Sequence, residues 1–294
     1  MSVQQNHLKH VAQLNFAILC ISTSGVWGRY ISLAPEQIIF FRAFLALCFV
    51  FLVCRFNNYS LKLEKGRDTY TILWCGLCFG IHWVTYFYAL SLSSVAIGML
   101  AIYTYPVITS FLEPILLRTS FQRSHLLLGV LVITGVYFLV PDIDFSNQQF
   151  VAVCLGIVSA FFYAVRNIMI KPKVERYNGS VLMMYQLLVI SVLLAPIVYF
   201  TDFEKLVVAL PGIVFLALIT TTLGHTLLLK SFRHFSATTA SIMSSVQPIY
   251  GILMGMLFLS EFPQWHTIIG GALILTAVGI ENVRTFRGSK QGSS

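Results

Sequence analysis

Residues 94–136, SVAIGMLAIYTYPVITSFLEPILLRTSFQRSHLLLGVLVITGV, and residues 236–278, SATTASIMSSVQPIYGILMGMLFLSEFPQWHTIIGGALILTAV, align without a gap at a constant offset of 142. Ser94 meets Ser236, Pro106 meets Pro248, Leu117 meets Leu259, Gly129 meets Gly271, Thr134 meets Thr276 and Val136 meets Val278. Both copies lie within long apolar stretches, so the chain reads as two related membrane modules in tandem. In such duplicated frames the pathway runs between the halves.

The composition around the echo agrees. Of 294 residues, 57% are hydrophobic and 10% charged, and the mean hydropathy is +0.81. A helix crosses the hydrocarbon in ~20 predominantly apolar residues. Ten such spans are expected, at 12–31, 36–55, 70–90, 94–117, 124–140, 150–170, 180–200, 209–229, 236–259 and 265–283. The runs are continuous, which excludes the short alternating segments of a membrane β-barrel, and the connections leave no room for a second soluble domain. The first stretch follows Lys9 like the start of a signal peptide, but it outlasts the ~7–15-residue core of one and lacks a small-residue cleavage site.

Charge fixes an expected orientation. With the N-terminus in the cytoplasm, fifteen of the 19 Lys and Arg residues fall on the inner side, Lys205 falls outside, and Arg29, Arg42 and Arg166 lie within spans. The positive-inside bias then predicts cytoplasmic termini. The net charge of +8 reflects anchoring to the lipid bilayer, and nucleic-acid binding is not expected. All six cysteines fall in apolar spans. Cys75 and Cys78 have CxxC spacing without a second pair to complete a zinc set, so they read as packing residues and no metal or cofactor is expected.

The polar stretch from Pro141 to Gln149 divides the chain into repeats at 12–140 and 150–284, with five spans in each. An odd number makes the second half enter the membrane in the opposite sense. The expected fold is therefore an all-α membrane protein of ten transmembrane helices, built as two inverted five-helix repeats (5+5).

Ionisable and polar groups inside spans are costly and need partners, water or a function. Pro106 and Pro248 are expected near the middle of the fourth and ninth spans, where an interior proline removes a backbone donor and kinks the helix. They mark either packing kinks or the walls of a wet cavity. The ninth span is rich in hydroxyls and amides (Thr238, Thr239, Ser241, Ser244, Ser245, Gln247, Tyr250) and carries a GxxxG pair, Gly251 and Gly255; the third has another at Gly76 and Gly80. Arg42 lies deep in the second span with no acid three or four residues away. It fits either a structural ion pair or a contact to a substrate carboxylate or phosphate, anions that suit an arginine fork. Arg29 and Arg166 are nearer span ends, within snorkelling reach of the interface.

Glu113 is the acid well inside a span. It either pairs with a basic residue near the loop or serves as a proton carrier. His82 and His225 are the other candidate proton carriers, since imidazole titrates near neutral pH; each is equally a hydrogen-bonded packing residue. Trp83, Tyr86, Tyr103, Tyr105 and Tyr250 carry polar tips far from the headgroups, and those tips need hydrogen-bond partners. Together with Arg42, His82, Ser241, Ser245 and Gln247 they form the expected substrate-binding set. No phosphate loop or nucleophile motif accompanies them, so catalysis is not expected.

The run Phe87-Tyr-Ala-Leu-Ser-Leu-Ser-Ser-Val-Ala leading to Tyr105-Pro106, and Ser231-Phe-Arg-His-Phe-Ser-Ala-Thr-Thr-Ala-Ser leading to Gln247-Pro248 and Leu259-Ser-Glu261, resemble the drug/metabolite transporter superfamily, in particular its ten-helix EamA-type members. The resemblance extends from about Asn15 to Asn282. The first half departs from it in having Thr119 where Glu261 would align. What it implies is a cavity framed mainly by spans 1, 3, 4, 6, 8 and 9, alternating access and, in many bacterial members, efflux of amino acids or related metabolites. The expected function is a secondary transporter of the bacterial inner membrane that moves a small polar or zwitterionic molecule. Uptake or exchange of a larger, nucleotide-like anion and a non-transporting ligand-binding scaffold are the alternatives.

Overall fold

The computed structural model describes residues 3–64, 66–118, 124–140, 144–231, 233–234 and 243–291, and among these every regular element is helical. The first span is broken at Thr23 into α1 (Val3–Ser22) and α2 (Ser24–Tyr30), followed by α3 (Pro35–Phe56) and α4 (Arg67–Leu92). The next two spans give α5 (Val95–Ile102), α6 (Tyr105–Leu117) and α7 (Ser124–Leu139). In the second half come α8 (Gln148–Val174) and α9 (Gly179–Leu194), which ends in a 3₁₀ turn at Ala195–Phe200. Then α10 (Phe203–Phe215) widens into a π-helical stretch at Leu216–His225 and closes as α11 (Thr226–Ser231). The last two helices are α12 (Gln247–Leu259) and α13 (Trp265–Gln291).

Among the described residues seven stretches are long and apolar enough to cross a membrane: Lys9–Tyr30, Pro35–Phe56, Arg67–Leu92, Val95–Leu117, Gln148–Val174, Gly179–Phe200 and Phe203–Ser231. Shorter apolar helices lie at Leu126–Leu139, Gln247–Leu259 and Trp265–Ile280. The molecule is a multi-pass membrane protein. Short polar caps start several helices: Asn147 accepts from the Gln149 N–H, Asn178 from the Ser180 N–H, and Asp202 from those of Glu204 and Lys205. Such caps satisfy backbone donors that the first turn leaves open.

The prolines lie near mid-span, as the sequence placed them, but the expected interior kinks are helix breaks. Pro106 and Pro248 lie in the first turn of α6 and α12, just after breaks at Tyr103–Thr104 and Ser245–Val246. They are start signals for second half-helices rather than kinks inside continuous ones, and at that position the missing N–H costs nothing. The two breaks are 142 residues apart, so the echo is preserved in the backbone as well as in the sequence. Between them, the Tyr103 hydroxyl reaches the Ser244 carbonyl and lies 3.0 Å from Gln247 Oε1. A carbonyl freed in one broken span is thereby satisfied by a side chain from the other, as a water-poor interior requires.

α4 packs antiparallel to α8 along most of its length. Asp68 pairs with Lys173 and Arg176 at 2.5 and 3.0 Å, the Cys75 thiol donates to the Arg166 carbonyl at 3.8 Å, and His82 meets Ser159 at 2.8 Å. This register defines two ends. At the basic end lie Asp68, Lys173, Arg176, Tyr177 and Arg233, whose guanidinium donates to the Val174 and Tyr177 carbonyls. At the opposite end Glu261 accepts from Arg29 Nε at 3.0 Å and from the Val95 N–H at 2.8 Å, while Arg29 Nη1 donates to the Ser91 carbonyl. Arg29 is thus held by a carboxylate and a carbonyl rather than simply extended into the interface.

Both GxxxG pairs are packing devices. A Cβ on Gly251 or Gly255 would run into Met99 or Val95 of α5, and one on Gly76 or Gly80 into Gln186, Val189 or Ile190 of α9. Closest of all, a Cβ on Gly156 of α8 would strike the Cβ of Ala101 in α5, which has no longer side chain to swing aside. Gly156→Ala should therefore force the helices apart and cost ~1–3 kcal/mol, the usual range for overpacking. Gly251→Ala meets only the flexible end of Met99 and should cost less. Melting temperatures of the two purified variants in detergent check the order; equal losses would contradict it.

Candidate functional site

The broken and widened helices converge on a cavity between the halves. Its lining comprises Ile21, Ser24, Arg42, His82, Trp83, Tyr86, Ile102, Tyr103, Tyr105, Tyr163, His225 and Gln247. About 420 Å³ of unfilled space lies among these groups when the part open to solvent is included. Ser24 follows the break in the first span, Tyr103 and Tyr105 flank the break between α5 and α6, Gln247 opens α12, and His225 closes the π stretch. Residues leave regular helical geometry here because side chains at a break can be aimed inward, and π segments recur at functional sites for the same reason.

Arg42 is the charge of this cavity. It is 1% exposed. Its Nε donates to Thr221 Oγ1 at 2.7 Å, and the Trp83 ring lies 4.1 Å from its guanidinium carbon. Among the described residues no carboxylate lines the cavity, and Arg42 Nη2 is buried without a hydrogen-bond partner. Desolvating an ion costs several kcal/mol unless a counter-charge and hydrogen bonds offset it. A hydroxyl and an aromatic face offset part of this, and the unmatched remainder is what an incoming anion would satisfy. The expected structural ion pair for Arg42 is thus not formed among the described residues.

His82 is oriented by its surroundings. The Ser159 hydroxyl donates its single proton to the His82 carbonyl at 2.8 Å, so it can only accept from Nδ1, also at 2.8 Å. Nδ1 therefore carries a proton, which leaves Nε2 as the acceptor of a neutral ring. The ring stacks on Tyr163 at 4.5 Å and on Phe79 at 5.7 Å. His225 stands 5.5 Å from Trp83 and edge-on to Phe79 at 5.3 Å. The Thr23 and Thr220 hydroxyls, 3.2 Å apart, tie the break in the first span to the π stretch.

Of the residues singled out from sequence, Arg42, His82, Trp83, Tyr86, Tyr103, Tyr105, His225 and Gln247 come together around this cavity. Tyr250 does not: it packs with Met243 against Leu14, Ala17, Ile18, Ile21 and Leu228. Ser245 sits at the helix break outside the lining, and Ser241, with Thr238 and Thr239, lies outside the described residues. Glu113 is half-buried on α6 near Leu117, away from the lining, and makes no ion pair or hydrogen bond among the described residues. Arg166, placed within snorkelling reach by sequence, is 1% exposed. Sequence reasoning passed over Tyr163 and Ser24. Tyr163 has the mid-span polar tip that selected Tyr86, and it sits three residues before an intramembrane arginine.

A family model described as the EamA-like transporter family matches this chain twice, over residues 11–140 and 150–281. The pseudopaline exporter CntI of Pseudomonas aeruginosa is 24% identical over 84% of this chain and 85% of its own. An uncharacterized transporter of Helicobacter pylori is 24% identical over 90% and 91%, and the uncharacterized transporter YwfM of Bacillus subtilis is 23% identical over 88% and 90%. A crystal structure superposes with a TM-score of 0.65 at 14% identity, covering 94% of this chain and 98% of that one. At that identity the likeness concerns the fold.

Tyr103→Phe should leave the Ser244 carbonyl unsatisfied, at a cost of ~1–3 kcal/mol for a buried polar group. Tyr70→Phe, at a residue that is 75% exposed, should cost less than this, and thermal melts of the two variants compare them.

Proposed function

The chain belongs to the EamA-like transporter family, and on that footing we propose that it carries a small metabolite bearing at least one carboxylate, zwitterionic amino-acid-like compounds included, across the bacterial inner membrane. The observation that carries this reading is the buried guanidinium of Arg42, with Nη2 lacking a hydrogen-bond partner, in a cavity without carboxylates among the described residues. Charge-assisted, bidentate pairing gives arginine its preference for planar anions. Aromatic faces at Trp83, Tyr105 and Tyr163 would receive the apolar part of the substrate, and the Gln247 amide its remaining polar groups. Export is the direction favoured, in line with a relative named as an exporter.

Alternating access supplies the movement in this proposal, with ten spans as two inverted sets of five and both termini in the cytoplasm. The seven long apolar helices and three shorter ones support that count, and the basic end, with Lys173, Arg176 and Arg233, supports a cytoplasmic assignment for that face. The helix breaks at Thr23, Tyr103–Thr104 and Ser245–Val246 serve as hinges. If transport is proton-coupled, His82 or His225 is better placed than Glu113 to carry the proton, because both histidines reach the cavity.

A larger, nucleotide-like anion is the second reading, since stacked rings beside an arginine also suit a base and a phosphate. Counterflow in proteoliposomes with labelled glutamate, succinate, citrate, alanine and UMP separates the two, and transport of none of them by a well-folded preparation would count against both. Arg42→Gln should lower exchange of the carboxylates by about 10–100-fold, the equivalent of one charge-assisted hydrogen bond, with neutral substrates much less affected. Equal losses would remove the anion role. Glu113→Gln should retain accumulation driven by a pH step, whereas replacing His82 or His225 with Gln should abolish it in at least one case.

A further inference from the structure

Arg42 has a counterpart elsewhere in the core. Arg166, on α8, is 1% exposed. Its Nε donates to Gln186 Oε1 at 2.8 Å and its Nη1 to Asn167 Oδ1 at 2.8 Å. The Phe79 ring lies 4.5 Å from its guanidinium carbon, and its Nη2 is buried without a partner. Each feature repeats the setting of Arg42: Nε pinned by a neutral oxygen, one face on an aromatic ring, Nη2 left open. The rings that cover the two cations touch each other, Phe79 and Trp83 having centroids 4.3 Å apart. Arg42, Trp83, Phe79 and Arg166 thus form one column, cation–ring–ring–cation, through the middle of the molecule.

Phe79 is the partition in that column. It is fully buried. It meets the cavity-lining rings of His82, Trp83, Tyr163 and His225 at 5.7, 4.3, 6.5 and 5.3 Å, and it also covers Arg166. The α4–α8 register places Arg166 beside Cys75 and Ser159 beside His82. A separation of seven residues along a helix is ~10 Å toward the basic end. Asp68 lies a further two turns along and is occupied by Lys173 and Arg176. A carboxylate was therefore within reach of the fold's design, yet Arg166 is held with neutral partners only. A counter-charge built into the protein would have offset the desolvation cost permanently. Its omission leaves the site ready for a transient anion.

The geometry points to Arg166 as a second anion-binding site on the basic-end side of the cavity, from which, when the Phe79 ring swings aside, the substrate carboxylate passes to Arg42. This rests on the carboxylate reading of the Arg42 cavity. In such a relay the two sites have separable effects: Arg42 sets binding in the cavity, and Arg166 sets the rate at which substrate passes between the cavity and the basic end. Phe79 is a gating residue that acts by position.

The test uses the full chain in proteoliposomes, with glutamate, succinate, citrate and UMP as probes, measuring equilibrium binding in detergent and exchange in vesicles on the same preparations. If the wild type moves none of them, the carboxylate reading falls and this inference with it. If it moves at least one, Arg166→Gln should keep the binding constant of that probe within about threefold yet slow its exchange about tenfold or more, the scale of one lost charge-assisted contact. Arg166→Lys, which keeps the charge, should recover a substantial part of the rate. Unchanged exchange in Arg166→Gln, or loss of binding as large as that in Arg42→Gln, would overturn the relay while leaving the Arg42 site intact. Should Arg166→Gln fail to fold, Phe79→Leu decides: altered exchange with preserved binding supports the partition, and unaltered exchange overturns it.

Discussion

The antiparallel register of α4 on α8 is the constraint from which the interior follows. Three contacts fix it, the ion pair of Asp68 with Lys173, the Cys75 thiol on the Arg166 carbonyl and His82 on Ser159. Small residues allow the close approach around it, with Gly156 seated against Ala101 on one flank and Gly76 and Gly80 against α9 on the other. In a membrane the helices gain little from hydrophobic association and depend on such van der Waals fit. Once the register is set, Tyr163 must face His82 and Phe79 must lie over Arg166, while the packing of α3 on α4 lays Arg42 over Trp83. A slip of one residue along either helix would rotate these side chains out of the cavity wall and separate the cations from their rings.

The interior that results tolerates charge without neutralising it. Neutral oxygens, an amide and aromatic faces surround two guanidinium groups, while the carboxylates Asp68 and Glu261 are engaged at the two ends. Aromatic faces contribute through their quadrupoles, more strongly when water is excluded. On the proposed function, closed ion pairs hold the bundle together at its ends and the open cations line the substrate's route.

Much of the frame was legible in the sequence, since hydropathy exposes spans and a constant offset exposes duplication. Most of the cavity was legible as well: a polar or ionisable group within an apolar run is rare enough that Arg42, His82, His225 and Gln247 stand out individually. What local sequence could not supply was pairing between distant helices. Phe79 is an ordinary phenylalanine until α8 is laid against α4, and Tyr250 has the same local credentials as Tyr86 yet turns toward α1. The prolines mark a subtler limit. Their symmetric placement correctly flagged a special point in each repeat, but a proline reads alike as an interior kink or as a first-turn residue, and only the backbone distinguishes them.

Glu261 joins Arg29 and the Val95 amide at the end away from the basic cluster, and the aligned position in the other copy is Thr119. A duplicated scaffold with its carboxylate in one copy alone is not energetically even-handed. In a cycle that opens its two ends in turn, parting the helices at the Glu261 end means breaking charged contacts that the repeat symmetry does not reproduce at the other. In the proposed cycle this contact resists opening of its own end, as the pairs of Asp68 with Lys173 and Arg176 resist opening of the other. The two latches differ in kind: Arg29 and Glu261 are partly exposed, at 38% and 22%, whereas Asp68 is 11% exposed. Salt in the medium at the Glu261 end would then loosen that latch more than the other.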